Sequence, residues 1–251
     1  MLTNPSNSLK KVKAEFPILM GNNFLNKKIC KHISNEINNF QTYDDLVMSG
    51  RSRINKGSKN FKNFTLKSKN SSRLYKTLNN KKFYTNLISI FEKIFENLDL
   101  KNLKKFPFSK KNYGVQSGKK LTRFNYKNLT LNLDMDFSVA EKGYVREAHR
   151  DRDTRVINFL IYLNKIPNNC GGNLEIFSLR NKKKLERFQS KSNIRKIQTI
   201  KSLPGRTIFW ISLPNSIHAV SKMNTNKKRF FVYGSFSLNR KVVWKNYVKR
   251  K

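Results

Sequence analysis

Cysteine and histidine are scarce in this 251-residue chain, which contains two cysteines and three histidines. Cys30 and Cys170 provide neither a disulfide framework nor a zinc-ligand pattern, so free thiols in a reducing compartment are expected. The sequence also lacks an uninterrupted apolar stretch long enough to span a bilayer. We therefore predict a cytoplasmic protein without a membrane span.

Acidic residues are scarce as well, with 15 Asp and Glu against 53 Lys and Arg, which gives a net charge of +38. One explanation is a polyanionic partner such as nucleic acid, an anionic membrane surface or an acidic polymer. The other is compositional, because the chain is rich in Lys, Asn and Ile, and scattered lysines make a basic protein without a basic site. Non-specific polyanion binding therefore stays open, and charge alone does not decide the function.

The apolar residues cluster into periodic segments, which predicts one folded domain over 1–251. Its N-terminal part, 1–105, is expected to hold a strand and supporting helices. "FPILMGNNFLNKKICKHISNEINNF" predicts a strand and then an amphipathic helix capped by Asn26. Residues 41–81, rich in Ser, Asn, Lys and Gly, predict irregular structure, and a longer helix is expected from Lys82.

Residues 106–240 have the character of a β-rich core, and 241–251 form a basic tail. "LTLNLDMDFSV" alternates with the period of a half-buried strand, and "RVINFLIYL", "GGNLEIF", "GRTIFWI" and "RFFVYGSFSL" predict further strands. Helices followed by a run of strands favour an α+β, mainly β fold. The expected architecture is an antiparallel sandwich or barrel with helices buttressing one face.

Three residues of this core form a candidate metal site. His149 and Asp151 are two positions apart, so they share a face if the chain is extended, and His218 follows the strand "RTIFWI". Two imidazoles and one carboxylate on one side of a metal are typical of non-haem Fe(II) oxygenases. The remaining histidine, His32, lies at the edge of the first helix's apolar stripe and is expected at the surface.

The order of the motifs resembles the Fe(II)/2-oxoglutarate-dependent dioxygenases, and within them the prolyl-hydroxylase-like branch. The similarity covers about residues 125–240. It is carried by "GYVREAHRD", "RVINFLIYLN", "GGNLEIF", "LPGRTIFWISLPNSIHAV" and "KKRFFVYGSF". The resemblance implies a double-stranded β-helix, or jelly-roll, core behind the N-terminal helices.

The resemblance also implies roles for single residues. His149, Asp151 and His218 would hold the iron. Arg229 would form a bidentate ion pair with the distal carboxylate of 2-oxoglutarate, and the hydroxyl of Tyr162 would contact the same carboxylate.

Neighbouring basic residues leave two questions open. Lys227 and Lys228 precede Arg229, so either would be the carboxylate partner if the register slipped, although Arg229 opens the apolar strand. The loop "RDRDTR" after His149 carries Arg155 and two further arginines, which form either weak surface ion pairs or a contact to an anionic substrate. Arg155 is the candidate for such a substrate contact.

The activity implied by the resemblance is hydroxylation of a C–H bond with Fe(II), 2-oxoglutarate and O₂, with ascorbate as a candidate reductant. The substrate stays open between a peptide, an amino acid, a sugar and a nucleic acid. A nucleic-acid-modifying oxygenase is one alternative, although Ser235 stands where such enzymes commonly carry a second arginine. Another is a basic RNA-binding protein, suggested by the interleaved basic and aromatic residues of 101–127. A third is a jelly-roll binder that holds a metal without oxidation.

Overall fold

The computed structural model describes residues 9–46, 50–109, 129–181 and 186–247. The helices are α1 (Lys27–Phe40), α2 (Lys59–Lys67), α3 (Lys69–Leu78), α4 (Lys81–Ile94) and α5 (Lys101–Lys105). The strands are β1 (Lys10–Lys11), β2 (Ile18–Gly21), β3 (Asp45–Leu46), β4 (Arg51–Asn55), β5 (Leu131–Ala140), β6 (Arg146–His149), β7 (Arg155–Tyr162), β8 (Leu174–Leu179), β9 (Ile194–Ile200), β10 (Thr207–Ile211), β11 (His218–Val220) and β12 (Arg229–Leu238). The mainly β fold with helices near the N-terminus is as predicted.

The strands form two antiparallel sheets. The larger has the order β1-β2-β10-β7-β12-β5-β4-β3, and the smaller has the order β6-β11-β8-β9. One apolar core lies between the helices and the larger sheet, and a second core joins side chains of the two sheets. This layering is the predicted double-stranded β-helix with helices buttressing one face.

The two long central strands, β5 and β12, pair over their full length from Arg229 opposite Ala140 to Leu238 opposite Leu131. Both faces of β5 are covered, so the expectation of a half-buried strand is wrong. One set of alternate side chains packs under the helices, whereas Asp136 on the other face lines a cavity between the sheets. The polar residues of the alternating pattern therefore face the interior of the barrel.

Helix α1 begins where the sequence predicted, because the Oδ1 atom of Asn26 accepts a hydrogen bond from the backbone N–H of Ile29 at 2.8 Å. Such a cap stabilises a helix by about 1 kcal/mol. Ile33 and Ile37 on its apolar stripe are buried, and His32 on another face is exposed, as predicted.

The prediction of irregular structure for 41–81 is wrong, because β3, β4, α2 and α3 lie there. The Oγ atom of Ser58 caps α2 by accepting from the N–H of Phe61 at 2.9 Å. Phe61 and Phe64 then pack against Phe137 of the larger sheet, at 5.8 and 5.0 Å between ring centroids. Two buried aromatic side chains thus outweigh the polar local composition.

The predicted division at residue 105 stays a prediction, although β1 to β4 all precede it and join the larger sheet. Part of the basic and aromatic stretch, 110–128, and the end of the basic tail, 248–251, lie outside the described residues. Within the described part of the chain, no helix has the length and apolar character needed to cross a bilayer.

Candidate metal centre

The residues predicted to bind metal meet at one end of the smaller sheet. His149 ends β6, His218 begins β11, and the two are directly paired with their ring centroids 4.5 Å apart. Asp151 lies in the loop that follows β6. One ligand atom from each residue lies within 4.8 Å of the others, and all three side chains are buried.

Both imidazoles have a fixed orientation. Nδ1 of His149 lies 2.7 Å from the carbonyl oxygen of Glu147, and Nδ1 of His218 lies 3.0 Å from that of Ser216. Because a carbonyl only accepts, each Nδ1 carries the proton and each Nε2 keeps a free lone pair. Nε2 of His218 lies 3.4 Å from Oδ2 of Asp151, so the two lone-pair atoms face each other as ligands of one cation would.

The environment keeps these groups in the protonation states that bind metals. Burial lowers the pKa of His149 to about 3, with the adjacent His218 adding to the effect, and burial also lowers the pKa of His218. Burial alone would raise the pKa of Asp151. The guanidinium of Arg155 and the two imidazoles outweigh this and hold the pKa of that carboxyl below its usual range. Neutral imidazoles and an ionised carboxylate are the forms that ligate a metal.

The Asp151 carboxylate accepts hydrogen bonds from neighbouring side chains through one of its two oxygens. Its Oδ1 accepts from Nη1 of Arg155 at 2.7 Å and from the hydroxyl of Tyr233 at 2.9 Å, and these two donors also contact each other. Oδ2 has no hydrogen-bond partner among the described residues. Arg155, predicted as a substrate contact, thus lies on the cavity wall but is paired with the metal-site carboxylate.

Arg229 enters the same cavity from the start of β12 and is fully buried. None of its guanidinium nitrogens has a hydrogen-bond partner within the described residues. The guanidinium carbon lies 4.1 Å from the ring centroid of Phe231 and 5.0 Å from that of Tyr162. Since a buried charge without a counter-charge is costly, this arrangement fits an anionic ligand.

The ring of Tyr162 packs against the guanidinium of Arg229. Its hydroxyl accepts from the N–H of Leu174 at 3.0 Å and donates to the carbonyl of Ile200 at 3.3 Å. Tyr162 does not appear among the described residues that line the cavity. Its predicted contact with 2-oxoglutarate therefore stays a prediction, while the structure shows it joining two strands of the smaller sheet.

The backbone around Arg229 favours it as the carboxylate partner. Lys227 and Lys228 are exposed, whereas Arg229 is buried in the cavity. Gly172 has φ +69°, and a Cβ there would approach Cδ of Arg229 to 3.2 Å. A glycine at this position therefore leaves room for the arginine side chain.

The cavity has a volume of about 520 Å³, which is within the range of small-molecule sites. Its wall opposite the smaller sheet includes Arg51 of β4, whose Nη2 lies 2.7 Å from Oδ1 of Asp136. Trp210 stands next to the metal-site imidazoles, with its ring centroid 5.0 Å from that of His218. Sequence patterns did not identify Arg51, Trp210 or Tyr233, although each lies on the cavity face of its strand.

The other two arginines of the loop after His149, Arg150 and Arg152, have different surroundings. Arg150 forms an ion pair with Asp153 in which both side chains are partly buried, and Arg152 lines the cavity. The structure therefore shows an ion pair for one arginine of the loop and a place in the cavity for the other.

Comparisons with known proteins agree with this geometry. Residues 135–236, which include every predicted site residue, match the model of the 2OG-Fe(II) oxygenase superfamily. Among solved structures, the non-haem alpha-ketoglutarate-dependent epimerase SnoN from nogalamycin biosynthesis is similar over 88% of this chain and 76% of its own, with 10% identity and a TM-score of 0.52. This likeness shows a shared fold.

Two prolyl hydroxylases are similar at lower scores. The prolyl-4-hydroxylase of Pseudomonas putida has 12% identity over 89% of this chain and 93% of its own, with a TM-score of 0.46. The prolyl hydroxylase of Trichoplax adhaerens, solved with a hypoxia inducible factor peptide fragment, has 16% identity over 88% and 83%, with a TM-score of 0.45. No curated protein sequence matches this chain.

Proposed function

We propose that the chain is an enzyme of the 2OG-Fe(II) oxygenase superfamily, whose model residues 135–236 match, and on this premise we assign roles to the residues of the cavity. It is an enzyme that depends on Fe(II), 2-oxoglutarate and O₂. His149, Asp151 and His218 hold the iron, and Arg229 pairs with the distal carboxylate of 2-oxoglutarate. Ascorbate as a reductant stays a prediction.

The observation that carries these roles is the buried guanidinium of Arg229 in the cavity that also holds the His-Asp-His cluster. A metal site alone would fit many functions. A fully buried arginine whose nitrogens have no hydrogen-bond partner in the described part of the chain favours an anionic ligand, because a buried charge without a counter-charge is costly. A dicarboxylate such as 2-oxoglutarate would offer one carboxylate to Arg229 and leave its other end for a metal held by the His-Asp-His cluster.

The bound iron, 2-oxoglutarate and O₂ supply oxidation of a C–H bond coupled to conversion of 2-oxoglutarate to succinate and CO₂. The chain supplies the geometry. Each imidazole presents Nε2 because a backbone carbonyl holds its Nδ1 proton. Oδ1 of Asp151 is held by Arg155 and Tyr233, so Oδ2 is the oxygen left for the metal. Such outer contacts orient a metal ligand and tune its affinity.

Membership of the prolyl-hydroxylase-like branch is the finer part of the proposal. Support comes from the order of motifs along β6 to β12 and from Tyr162, which occupies the position whose hydroxyl contacts the carboxylate in that branch. The reaction proposed is hydroxylation, on a substrate that these features leave unidentified. A peptide, an amino acid, a sugar and a nucleic acid each present suitable C–H bonds.

The test is anaerobic titration with Fe(II) and then 2-oxoglutarate, followed by the metal-to-ligand absorption. We expect this absorption in the wild-type protein and in His32→Ala, and its loss in His218→Ala. O₂ is then admitted in the presence of each substrate class, and succinate is measured. Loss of iron binding in His32→Ala but not in His218→Ala would show that the assignment is wrong.

A further inference from the structure

The cavity wall is strongly basic. Within the described part of the chain, seven arginines and one lysine line it, against three aspartates, which leaves a formal surplus of five positive charges. Arg155 and Arg51 are paired with two of the aspartates, and Arg229 is assigned to 2-oxoglutarate. Fe(II) and the 2-oxoglutarate dianion carry opposite charges of equal size, so their binding leaves the surplus unchanged.

The positive charge of the cavity comes mainly from arginine, whereas the chain as a whole contains more lysine. The sequence has 15 arginines and 38 lysines. Among the residues that the structure describes, seven arginines but only one lysine, Lys56, line the cavity. A drift of composition towards lysine would place mainly lysines on any surface. The concentration of arginine here therefore points to a ligand, because a guanidinium binds phosphate and carboxylate groups through two parallel hydrogen bonds.

The cavity mouth next to the metal site has a specific arrangement. The guanidinium carbons of Arg146 and Arg187 lie 5.6 and 5.5 Å from the ring centroid of Phe188. That ring is 48% exposed and lies 6.1 Å from the ring of His149. Two guanidinium groups and an exposed aromatic ring thus lie beside a candidate metal ligand at a solvent-exposed edge of the cavity.

We propose that the enzyme acts on a phosphate-bearing substrate whose phosphate is held at the mouth by Arg146 and Arg187. The inference rests on the proposed function, because the cluster of His149, Asp151 and His218 marks the part of the cavity where the substrate would react. A phosphodiester or phosphomonoester offsets the surplus charge, and Phe188 offers an apolar surface to the part attached to the phosphate. Single-stranded nucleic acid and a free nucleotide share this chemistry.

The test uses protein loaded with Fe(II) and 2-oxoglutarate in the absence of O₂. Binding of a fluorescent single-stranded oligonucleotide is followed by anisotropy over a range of salt concentrations, and binding of a mononucleotide by calorimetry. In the double variant Arg146→Gln/Arg187→Gln we expect affinity to fall by about tenfold or more, and the salt slope to fall by about one unit per lost phosphate contact.

A matched control removes the same charge from the surface. Arg73 on α3 and Arg195 on β9 are exposed and do not line the cavity. Arg73→Gln/Arg195→Gln should change affinity by less than about twofold, because these residues give only distant, screened interactions. Equal losses in the two double variants would overturn the proposal, since binding would then follow total charge.

The ligand panel separates the sources of phosphate. Binding of the oligonucleotide together with the mononucleotide supports a nucleotide site, and binding of the oligonucleotide alone supports a strand. Equal affinity for a poly-glutamate peptide would overturn the preference for phosphate. The metal-to-ligand absorption is recorded in the same samples. If it fails to appear in the wild type, the proposed function fails; if it appears and the mouth variant binds phosphate normally, only this inference fails.

Discussion

Arg155 and Asp151 form an ion pair at the metal site, with Nη1 of the arginine 2.7 Å from Oδ1 of the aspartate. The side chains are only 16% and 7% exposed, so solvent screens the pair little. Because Oδ1 also accepts from Tyr233, one carboxylate oxygen is occupied and the other is available to a metal. The pair therefore leaves Oδ2 as the carboxylate oxygen available to the proposed iron and restrains its direction.

This relationship predicts the effect of Arg155→Gln. Without the guanidinium, Asp151 loses its main restraint, and we expect Fe(II) affinity to fall about 10- to 100-fold, as is usual when a partner of a metal ligand is removed. Anaerobic Fe(II) titration measures the change. Arg150→Gln is the matched control, because the side chain of Arg150 forms its ion pair with Asp153 rather than with Asp151. Unchanged affinity in Arg155→Gln would exclude the positioning role.

Arg229→Lys tests the 2-oxoglutarate site. Lysine keeps the charge but loses the two-pronged contact, so we expect the Kd for 2-oxoglutarate to rise by about 10- to 150-fold, the equivalent of about 1.5 to 3 kcal/mol for a hydrogen bond to a charged group. Iron affinity should change much less. The measurement is anaerobic titration with 2-oxoglutarate after loading with Fe(II).

The control for this prediction is Lys227→Gln/Lys228→Gln. Both lysines are exposed, and we expect their replacement to leave the Kd for 2-oxoglutarate within about twofold of the wild-type value. If the double variant loses affinity while Arg229→Lys retains it, a lysine rather than Arg229 binds the carboxylate.

The strands β5, β7, β8, β10 and β12 and the convergence of the candidate metal ligands could be predicted because the signals are local or ordered, whereas β9 lies where no strand was predicted. An apolar alternation or a continuous apolar run marks each of these strands. His149 and His218 lie at strand ends and Asp151 lies in the loop after β6, in the order that the family motifs have. The residues that contact these candidate ligands could not be predicted in the same way. Arg155 and Tyr233 are 78 positions apart yet contact the same carboxylate, and no local pattern in one sequence brings such residues together.

The wrong prediction for residues 41–81 has the same cause, which is a contact between residues far apart in the sequence. The segment 41–81 has the composition of a loop, but Phe61 and Phe64 make it helical by packing on β5, a strand about 70 residues later. Alternation in β5 predicted one buried face correctly. It could not show that the polar face, with Asp136, lines a cavity rather than meeting solvent, because both environments favour polar side chains.

Tyr162→Phe separates a structural role from a binding role. Removing the hydroxyl leaves the buried N–H of Leu174 without its acceptor, and we expect the free energy of unfolding to fall by about 1 to 3 kcal/mol. The aromatic ring beneath Arg229 is kept. If the hydroxyl also contacts 2-oxoglutarate, as proposed, the Kd should rise by the equivalent of about 0.5 to 1.5 kcal/mol. Urea unfolding and anaerobic titration measure the two effects separately.

The two measurements have distinct outcomes. A stability loss with an unchanged Kd would limit Tyr162 to joining Leu174 and Ile200 across the smaller sheet. A Kd increase without any stability loss would contradict the structural role.

Lys56 predicts a pH-dependent stability. It is 5% exposed and its Nζ donates to the carbonyl of Leu133. Burial, partly offset by Asp134, lowers the pKa of Lys56 from 10.5 to about 8. Between these values the unfolded chain binds more protons than the folded one, so this residue makes stability rise with pH, by up to about 3 kcal/mol.

Lys56→Met should therefore be most favourable relative to wild type below pH 8 and lose that advantage towards pH 10.5. Urea unfolding across this range measures the difference, with Lys62→Met, at an exposed position of α2, as the control. Parallel curves for wild type and Lys56→Met would contradict the prediction.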